Sequence, residues 1–231
     1  MTLRAFFSAL LDDVLPRACL LCGARSHAPV CAACAADLPH LEGPLCPICA
    51  TPLAMPANAC GNCLKSPPAF DATIAPLRYA FPVDALVHQL KFGCRLASAD
   101  FLSRCMLEGA HPEGDLLMPV PLSRQRLAER GFNQALEIAR PLAKALGLSL
   151  DAACLFRQRE TLPQSRLPWR ARRGNVRRAF ACRRNLAGLT VIVVDDVMTS
   201  GATLDTVAHT LKDCGASRVI NWVAARTVKQ G

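Results

Sequence analysis

The stretch VIVVDDVMTSGATL, residues 191–204, contains the signal that decides the fold. It begins with four branched apolar residues, continues with Asp195 and Asp196, and ends in small residues around Gly201. A continuous apolar run is typical of a central strand in a parallel sheet, which helices cover on both faces. Ligands of such sheets bind beyond the carboxyl ends of the strands. The two carboxylates therefore lie where a ligand site is expected.

The residues that follow the strand suit a phosphorylated sugar. Carboxylates accept hydrogen bonds from neighbouring hydroxyls, such as the two hydroxyls of a ribose. Small side chains let a ligand approach the backbone, and N–H groups at a helix N-terminus attract phosphate; the residues in question are Thr199, Ser200, Gly201, Ala202 and Thr203. The alternative is a buried strand followed by an ordinary Ser/Thr helix cap. That alternative leaves the two adjacent acids unexplained.

The chain on either side of this stretch alternates between strand and helix patterns. Apolar segments predict strands within residues 72–81, 115–121, 190–196 and 218–225, and periodic segments predict helices at 83–92, 97–107, 133–146 and 202–214. Asn133 is a suitable N-cap, and Gly147 a suitable terminator, for the third of these helices. The pattern predicts an α/β fold with an open parallel sheet covered by helices.

A cysteine-rich module precedes this sheet. Eight of the thirteen cysteines form four Cys-x-x-Cys pairs, namely Cys19, Cys22, Cys31, Cys34, Cys46, Cys49, Cys60 and Cys63. Two such pairs complete a tetrahedral zinc site, so four pairs predict two structural zinc ions. Redox or disulfide chemistry is the alternative. The sequence leaves the pairing open, and we favour two sequential ribbons over a crossed arrangement. The five remaining cysteines are attributed to burial.

Composition sets the domain boundaries and the compartment. We expect an amphipathic helix at 1–16, a double zinc ribbon at 17–68 that ends in the linker SPPAFD, and the sheet domain at 69–231. The net charge is +9, and the whole surplus lies after residue 70. No run is long enough to span a membrane, and Asp12 and Asp13 interrupt any signal peptide. We therefore expect a cytoplasmic protein with reduced thiols.

Residues 191–204 resemble the phosphoribosyl-pyrophosphate motif of type I phosphoribosyltransferases. MPVPLSRQRLAERGFNQALEIARPLA (118–143), QSRLPWRARRGNVRRAF (164–180), LKFG (90–93) and the cysteine-rich head together resemble ComF-type proteins, phosphoribosyltransferase-like proteins associated with natural competence for DNA uptake. The resemblance implies that Asp195 and Asp196 hold the ribose hydroxyls and that Thr199–Thr203 bind the 5′-phosphate. Magnesium would arrive on the sugar diphosphate, as Mg²⁺ usually does.

Two basic segments have further candidate roles. Under the resemblance Arg124, Arg126 and Arg130 meet the pyrophosphate, whereas the alternative is a solvated helix start. Lys91 is either a weaker candidate or simply a helix-terminal lysine. Residues 157–184 hold ten arginines and one acid. They suit either a hood over the diphosphate, with Gln164, Arg173 and Asn175, or a DNA-backbone surface with Trp169 for base stacking.

Three functions follow from these patterns. The first is a phosphoribosyltransferase, in which a nucleophile displaces pyrophosphate. The second is a non-catalytic module that binds single-stranded DNA or a protein of the uptake machinery. The third assigns partner docking to the zinc ribbons. No residue identifies a nucleobase acceptor.

Overall fold

The computed structural model describes residues 17–158 and 179–228. The expected amphipathic helix at 1–16 lies outside these residues. The strands are β1 (Arg17–Ala18), β2 (Arg25–Ser26), β3 (Ala72–Ile74), β4 (Leu77–Arg78), β5 (Leu116–Pro119), β6 (Ser149–Leu150), β7 (Leu155–Arg157), β8 (Phe180–Cys182), β9 (Thr190–Met198) and β10 (Arg218–Arg226). The helices are α1 (Ala32–Ala36), α2 (Gly61–Lys65), α3 (Val83–Gly93), α4 (Leu96–Glu108), α5 (Arg124–Arg130), α6 (Gln134–Leu146) and α7 (Ala202–Asp213).

The main sheet is open and parallel, as the apolar runs predict. Its strand order is β3-β10-β9-β5-β6, and β4 also pairs with β10. Every one of these pairings is parallel. The two central strands, β9 and β10, are buried on both faces along most of their length. The predicted α/β class is confirmed.

The sheet opens on one side of β9 at the acid pair. Pairing of β5 with β9 ends at Pro119 opposite Val194, whereas pairing of β10 with β9 continues to Arg226 opposite Met198. Proline is poorly tolerated inside a sheet, and Pro119 is followed by a second proline at 121. From Asp195 onward, therefore, β9 has no described strand on its β5 side.

Each face of the sheet is covered by helices and by one cysteine-rich ribbon. We call residues 17–38 the first ribbon and residues 44–66 the second ribbon. Val191 and Val193 share a packed cluster with α7 and the second ribbon. Ile192 and Val194 share another with α3, α4, α6 and part of the first ribbon. Alternate side chains of β9 thus fix which ribbon lies over which face.

Most local signals in the sequence are confirmed. The Asn133 side chain accepts a hydrogen bond from Ala135 N, and Gly147 ends α6 in the left-handed conformation. Asn133 Nδ2 also donates to Val120 O at 3.0 Å, which ties the start of α6 to the end of β5. None of the helices in residues 17–158 and 179–228 has both the length and the apolar character needed to cross a bilayer.

The structure departs from the sequence-based expectations, or adds to them, in four local features. Residues 124–130, for which no full helix was predicted, form helix α5, because the Ser123 side chain accepts from Arg126 N and caps the first turn. Asp195 and Asp196 lie inside β9 as predicted, but the strand continues beyond them to Met198, because β10 continues to pair with it. The arginine-rich segment, for which no strand was predicted, begins in β7 and ends just after β8, and these two strands pair antiparallel. Cys94 is exposed, so burial does not explain it.

Candidate functional site

The two acids of β9 differ in their surroundings. Asp196 is 3% exposed and forms an ion pair with Lys91 at the end of α3. Asp195 is half-buried, and its Oδ1 accepts a hydrogen bond from Asp196 N at 2.9 Å. Among the described residues no cation forms an ion pair with Asp195. Lys91, for which the sequence showed only a helix-terminal lysine or a weak candidate, is thus brought to the acid pair.

Burial and the neighbouring carboxylate alter the ionisation of Asp195. Desolvation raises the pKa of the Asp195 carboxyl well above its ordinary value, and the charge of Asp196 raises it further. The Lys91 ammonium lowers it, but less strongly. A proton is therefore held more tightly at Asp195 than at an ordinary aspartate.

The turn after β9 exposes backbone at the start of α7. Thr199, Ser200, Ala202 and Thr203 are exposed, whereas Gly201 is buried with φ +81°. A Cβ on Gly201 would lie 2.7 Å from Met198 Cε, so a side chain here would be strained by the backbone conformation and would also displace the end of Met198. No described group accepts a hydrogen bond from the Ser200 or Gly201 amide. These N–H groups are available to an anion.

The predicted basic residues are only partly brought together. Arg124 and Arg126 on α5 are exposed and form no ion pair with a described carboxylate. Arg130 donates to Gln134 Oε1 at 3.0 Å, and its guanidinium lies 5.2 Å from the Phe92 ring centroid. Phe92 follows Lys91 in the chain. The LKFG segment therefore contacts α5 through Phe92 and the acid pair through Lys91.

The arginine-rich segment is described only at its two ends. Arg157 lies over the Phe180 ring and Arg183 over the Phe156 ring, so cation–π contacts line both sides of the β7–β8 pair. Arg184 is 3.8 Å from Asp151. The candidate residues Gln164, Trp169, Arg173 and Asn175 lie outside the described residues.

The eight cysteines form two four-sulfur clusters. One holds Cys19, Cys22, Cys31 and Cys34, and the other holds Cys46, Cys49, Cys60 and Cys63, with all sulfurs of a cluster within 4.8 Å of one another. Sulfurs 2.3 Å from a tetrahedral zinc are separated by about 3.8 Å. The Cys22–Cys31 and Cys49–Cys60 sulfurs are 3.8 and 3.6 Å apart. The donor set fits zinc, and the favoured sequential pairing is confirmed.

Backbone amides point at the first sulfur of each cluster. Cys31 N donates to Cys19 Sγ, and Cys60 N donates to Cys46 Sγ, both at 3.3 Å. Burial opposes ionisation of both thiols, but these and neighbouring amides outweigh it. They lower the pKa of Cys19 to about 6 and that of Cys46 to about 7. The thiolates of Cys19 and Cys46, the form that binds metal, are thereby favoured.

Arg226, at the end of β10, joins the second ribbon to the turn. Its Nε donates to Cys49 O at 2.9 Å, and its Nη1 donates to Met198 O at 3.1 Å and to Thr199 O. The residue is only 8% exposed. Sequence reasoning missed it, because an arginine that follows an apolar strand is usually a solvated strand end.

A cavity of about 340 Å³ lies between the second ribbon and the turn. Its lining includes Asn62 and Ser66 from the ribbon, Ser200 and Gly201 from the turn, and Arg226. Asp205, in the first turn of α7, closes one side and accepts from Ala69 N at 2.6 Å. The exposed turn therefore faces a recess whose opposite wall is the ribbon.

Comparison with known proteins agrees with this architecture. Residues 10–64 match a double zinc ribbon domain, and residues 132–229 match a phosphoribosyl transferase domain. The sheet, the turn and the two clusters thus define a phosphoribosyltransferase-like protein that carries a double zinc ribbon.

Three relatives cover nearly the whole chain. The DNA utilization protein YhgH of Salmonella typhi is 36% identical over 225 residues, which are 93% of this chain and 99% of the relative. Competence protein F of Haemophilus influenzae is 29% identical over 90% of this chain and 96% of its own. Competence protein ComFC of Bacillus subtilis is 26% identical over 93% and 90%, respectively. The chain belongs to the ComF family.

Proposed function

We propose that this protein binds phosphoribosyl pyrophosphate with Mg²⁺ and transfers its phosphoribosyl group. The observation that carries the proposal is the open edge of β9, where an acid pair is followed by a turn with free amides. Asp195 and Asp196 receive the ribose hydroxyls, and residues Thr199–Thr203 receive the 5′-phosphate. Within this proposal residues 17–68 form the ribbon module and residues 69–231 the transferase-like domain.

The chemistry that suits this site is displacement at C1 of the ribose. A nucleophile forms a bond to C1 while the C1–oxygen bond breaks, and the electron pair leaves with pyrophosphate. Negative charge grows on the leaving group, so nearby cations favour the transition state. Mg²⁺ on the diphosphate supplies one such charge, and Arg124, Arg126 and Arg130 supply others. Lys91 holds the Asp196 carboxylate in position until the sugar arrives.

The names of the relatives support a role in DNA uptake. One relative is named for DNA utilization and two are named for competence. We place the protein in the cytoplasm, where thiols stay reduced and both clusters can hold structural zinc.

Calorimetry with phosphoribosyl pyrophosphate, with and without Mg²⁺, tests the proposal. Each charge-assisted hydrogen bond contributes about 1.5 to 3 kcal/mol, so the double variant Asp195→Asn/Asp196→Asn loses at least about tenfold in affinity. Asp213→Asn, an exposed acid at the end of the same α7, is the matched control and keeps wild-type affinity. Equal affinity of the double variant and the control would contradict the site. A lower affinity in the absence of Mg²⁺ would support the proposed role of the metal in binding.

A non-catalytic module that binds single-stranded DNA or an uptake protein is the second candidate. It is favoured by the positive surplus after residue 70, which includes the exposed Arg183 and Arg184. Binding to single strands then weakens steeply with salt, because phosphate contacts release counterions. Replacing Arg170, Arg172 and Arg173 by alanine removes that binding. Absence of binding to single strands at low salt would rule out the DNA-binding form of this candidate.

A further inference from the structure

Arg226 is a buried cation that bridges two parts of the molecule. On one side it donates to Cys49 O at 2.9 Å and reaches Thr51 Oγ1 at 3.4 Å, both in the second ribbon. On the other it donates to Met198 O and Thr199 O, where the turn begins, and to Thr227 O at 2.8 Å. The guanidinium thus fixes the carbonyls that orient the first residues of the turn.

The charge of Arg226 has no carboxylate partner within residues 17–158 and 179–228. An uncompensated buried charge is strongly unfavourable, and buried charges are normally paired. The second cluster contacts the guanidinium directly through its backbone, since Cys49 supplies both a sulfur ligand and the carbonyl that accepts from Nε. A divalent ion held by four thiolates has a net charge of about −2. The metal-loaded cluster therefore balances the guanidinium.

We propose that Arg226 is a positioning residue that couples metal binding in the second cluster to the conformation of the turn at residues 199–203. A loaded cluster holds the guanidinium in place, and the guanidinium holds the Met198 and Thr199 carbonyls. The turn's amides then face the cavity in the arrangement that binds phosphate. The ligand part of this inference rests on the proposed function.

The first cluster provides an internal comparison. No hydrogen bond joins the first ribbon to residues 199–203 in the part of the chain that the structure describes. Loss of metal from the first cluster therefore leaves the turn unchanged. Coupling between two sites is also reciprocal, so a ligand in the turn strengthens metal binding by the same factor that the metal strengthens ligand binding. Typical couplings are about 5 to 150-fold.

Hydrogen exchange of the turn tests the coupling without any ligand. The zinc-loaded full chain and its Arg226→Met variant are compared over residues 196–206, together with the metal content of both. We expect exchange in the variant to be at least about tenfold faster with both metals retained. Arg78→Met is the matched control, because Arg78 pairs with Arg226 across the adjacent strand but is exposed. Equal exchange in wild type and Arg226→Met would overturn the proposal.

Zinc release supplies a readout that a purely structural role would not change. A zinc-selective chromogenic chelator is added with and without phosphoribosyl pyrophosphate and Mg²⁺. In the wild type and in Cys22→Ser we expect the ligand to slow release from the second cluster by about fivefold or more. In Arg226→Met we expect no slowing. If that variant fails to fold, Arg226→Lys keeps the charge but not the bridge, so it retains both metals and still loses the ligand effect.

The outcomes separate the two proposals. A wild-type protein that binds no phosphoribosyl pyrophosphate refutes the proposed function, and hydrogen exchange then decides the role of Arg226. A wild-type protein that binds the ligand, but whose zinc release the ligand does not slow, refutes the coupling and leaves the proposed function standing.

Discussion

The two four-cysteine clusters have the same kind of ligands and similar local hydrogen bonds, yet they meet the rest of the molecule differently. All four cysteines of the second cluster are buried, and they share a packed cluster with Val193 and α7. In the first cluster only Cys19 is buried, and Cys22 is exposed. The second ribbon reaches the turn through a charged residue, whereas the first reaches α3 through the neutral hydrogen bond from Gln89 Nε2 to Leu20 O.

From this difference we expect each metal site to stabilise the sheet domain to the extent that its ribbon shares that domain's core. The binding energy of a structural metal becomes folding energy of whatever its ligands hold in place. For the first cluster that is the ribbon itself and, through the buried Cys19, its packing against α3 and α4. For the second cluster it includes one face of the parallel sheet.

Removing one equivalent ligand from each cluster has the largest expected effect. Cys49 and Cys22 close the first Cys-x-x-Cys pair of their respective clusters. We expect Cys49→Ser to lower the free energy of unfolding by about 4 kcal/mol or more, because it opens a buried site within the core. Cys22→Ser should cost the sheet less than half as much. Thermal unfolding followed by the fluorescence of Trp222, in a Trp169→Phe background, reports on the sheet alone. Equal losses of stability in the two variants would contradict the difference between the clusters.

The two acids of β9 also differ in their surroundings, and this difference makes the stability of the fold depend on pH. Lys91, on the first ribbon's face of the sheet, ion-pairs with Asp196, whereas Asp195 lacks such a partner among the described residues. Burial raises the pKa of Asp195 in the folded state, so the folded protein binds this proton more tightly than the unfolded chain does. Protonation of Asp195 therefore stabilises the fold. Wild-type stability therefore falls by up to about 1.4 kcal/mol per pH unit from the ordinary aspartate pKa of about 3.9 up to the raised value.

Asp195→Asn removes this titration. We expect the variant to equal the wild type near pH 4 and to exceed it increasingly as the pH rises through that window. Chemical denaturation at several pH values measures the difference, and Asp213→Asn provides the control, because Asp213 is exposed. A difference that stays constant with pH would show that Asp195 is not perturbed.

A backbone position that the two ribbons share has a smaller expected effect. The residue after the second cysteine has positive φ in both, +74° at Gly23 and 55° at Ala50. Gly23→Ala should cost about 1 to 2 kcal/mol, because alanine is strained in this region. Ala50→Gly relieves that strain but loses a buried methyl group, so it should change stability by less than about 1 kcal/mol. Chemical denaturation measures both, and a large loss in Ala50→Gly would contradict this account.

How far the sequence predicts these features depends on how local their causes are. The Asn133 cap, the end of α6 at Gly147 and the four Cys-x-x-Cys pairs are encoded within a few residues, and all of them are confirmed. The Ser123 cap of α5 was equally local and was overlooked. The apolar run of β9 predicted its central place, but its extension to Met198 depends on the length of β10.

The contacts that define the site are less local. Arg226 is buried because Cys49, 177 positions earlier, lies over the end of β10. Lys91 meets Asp196 only once α3 has packed beside β9. In both cases the two partners are too far apart in the sequence for a local pattern to reveal the contact. An arginine that directly follows eight mostly apolar residues, with no acid beside it, was the one signal that Arg226 offered.

The smallest expected effect concerns the hydrogen bond between the first ribbon and α3. Gln89 Nε2 donates to Leu20 O at 2.8 Å, but no described group hydrogen-bonds to the buried Gln89 Oε1. Gln89→Met loses the first interaction, worth about 0.5 to 1.5 kcal/mol, and also removes the unsatisfied oxygen. The two changes oppose each other, so stability should change by less than about 1 kcal/mol. Hydrogen exchange should quicken in residues 17–38 and stay unchanged in residues 196–206, with exposed Gln125→Met as the control. Faster exchange in the turn would mean that both ribbons position it, and the asymmetry between them would be lost.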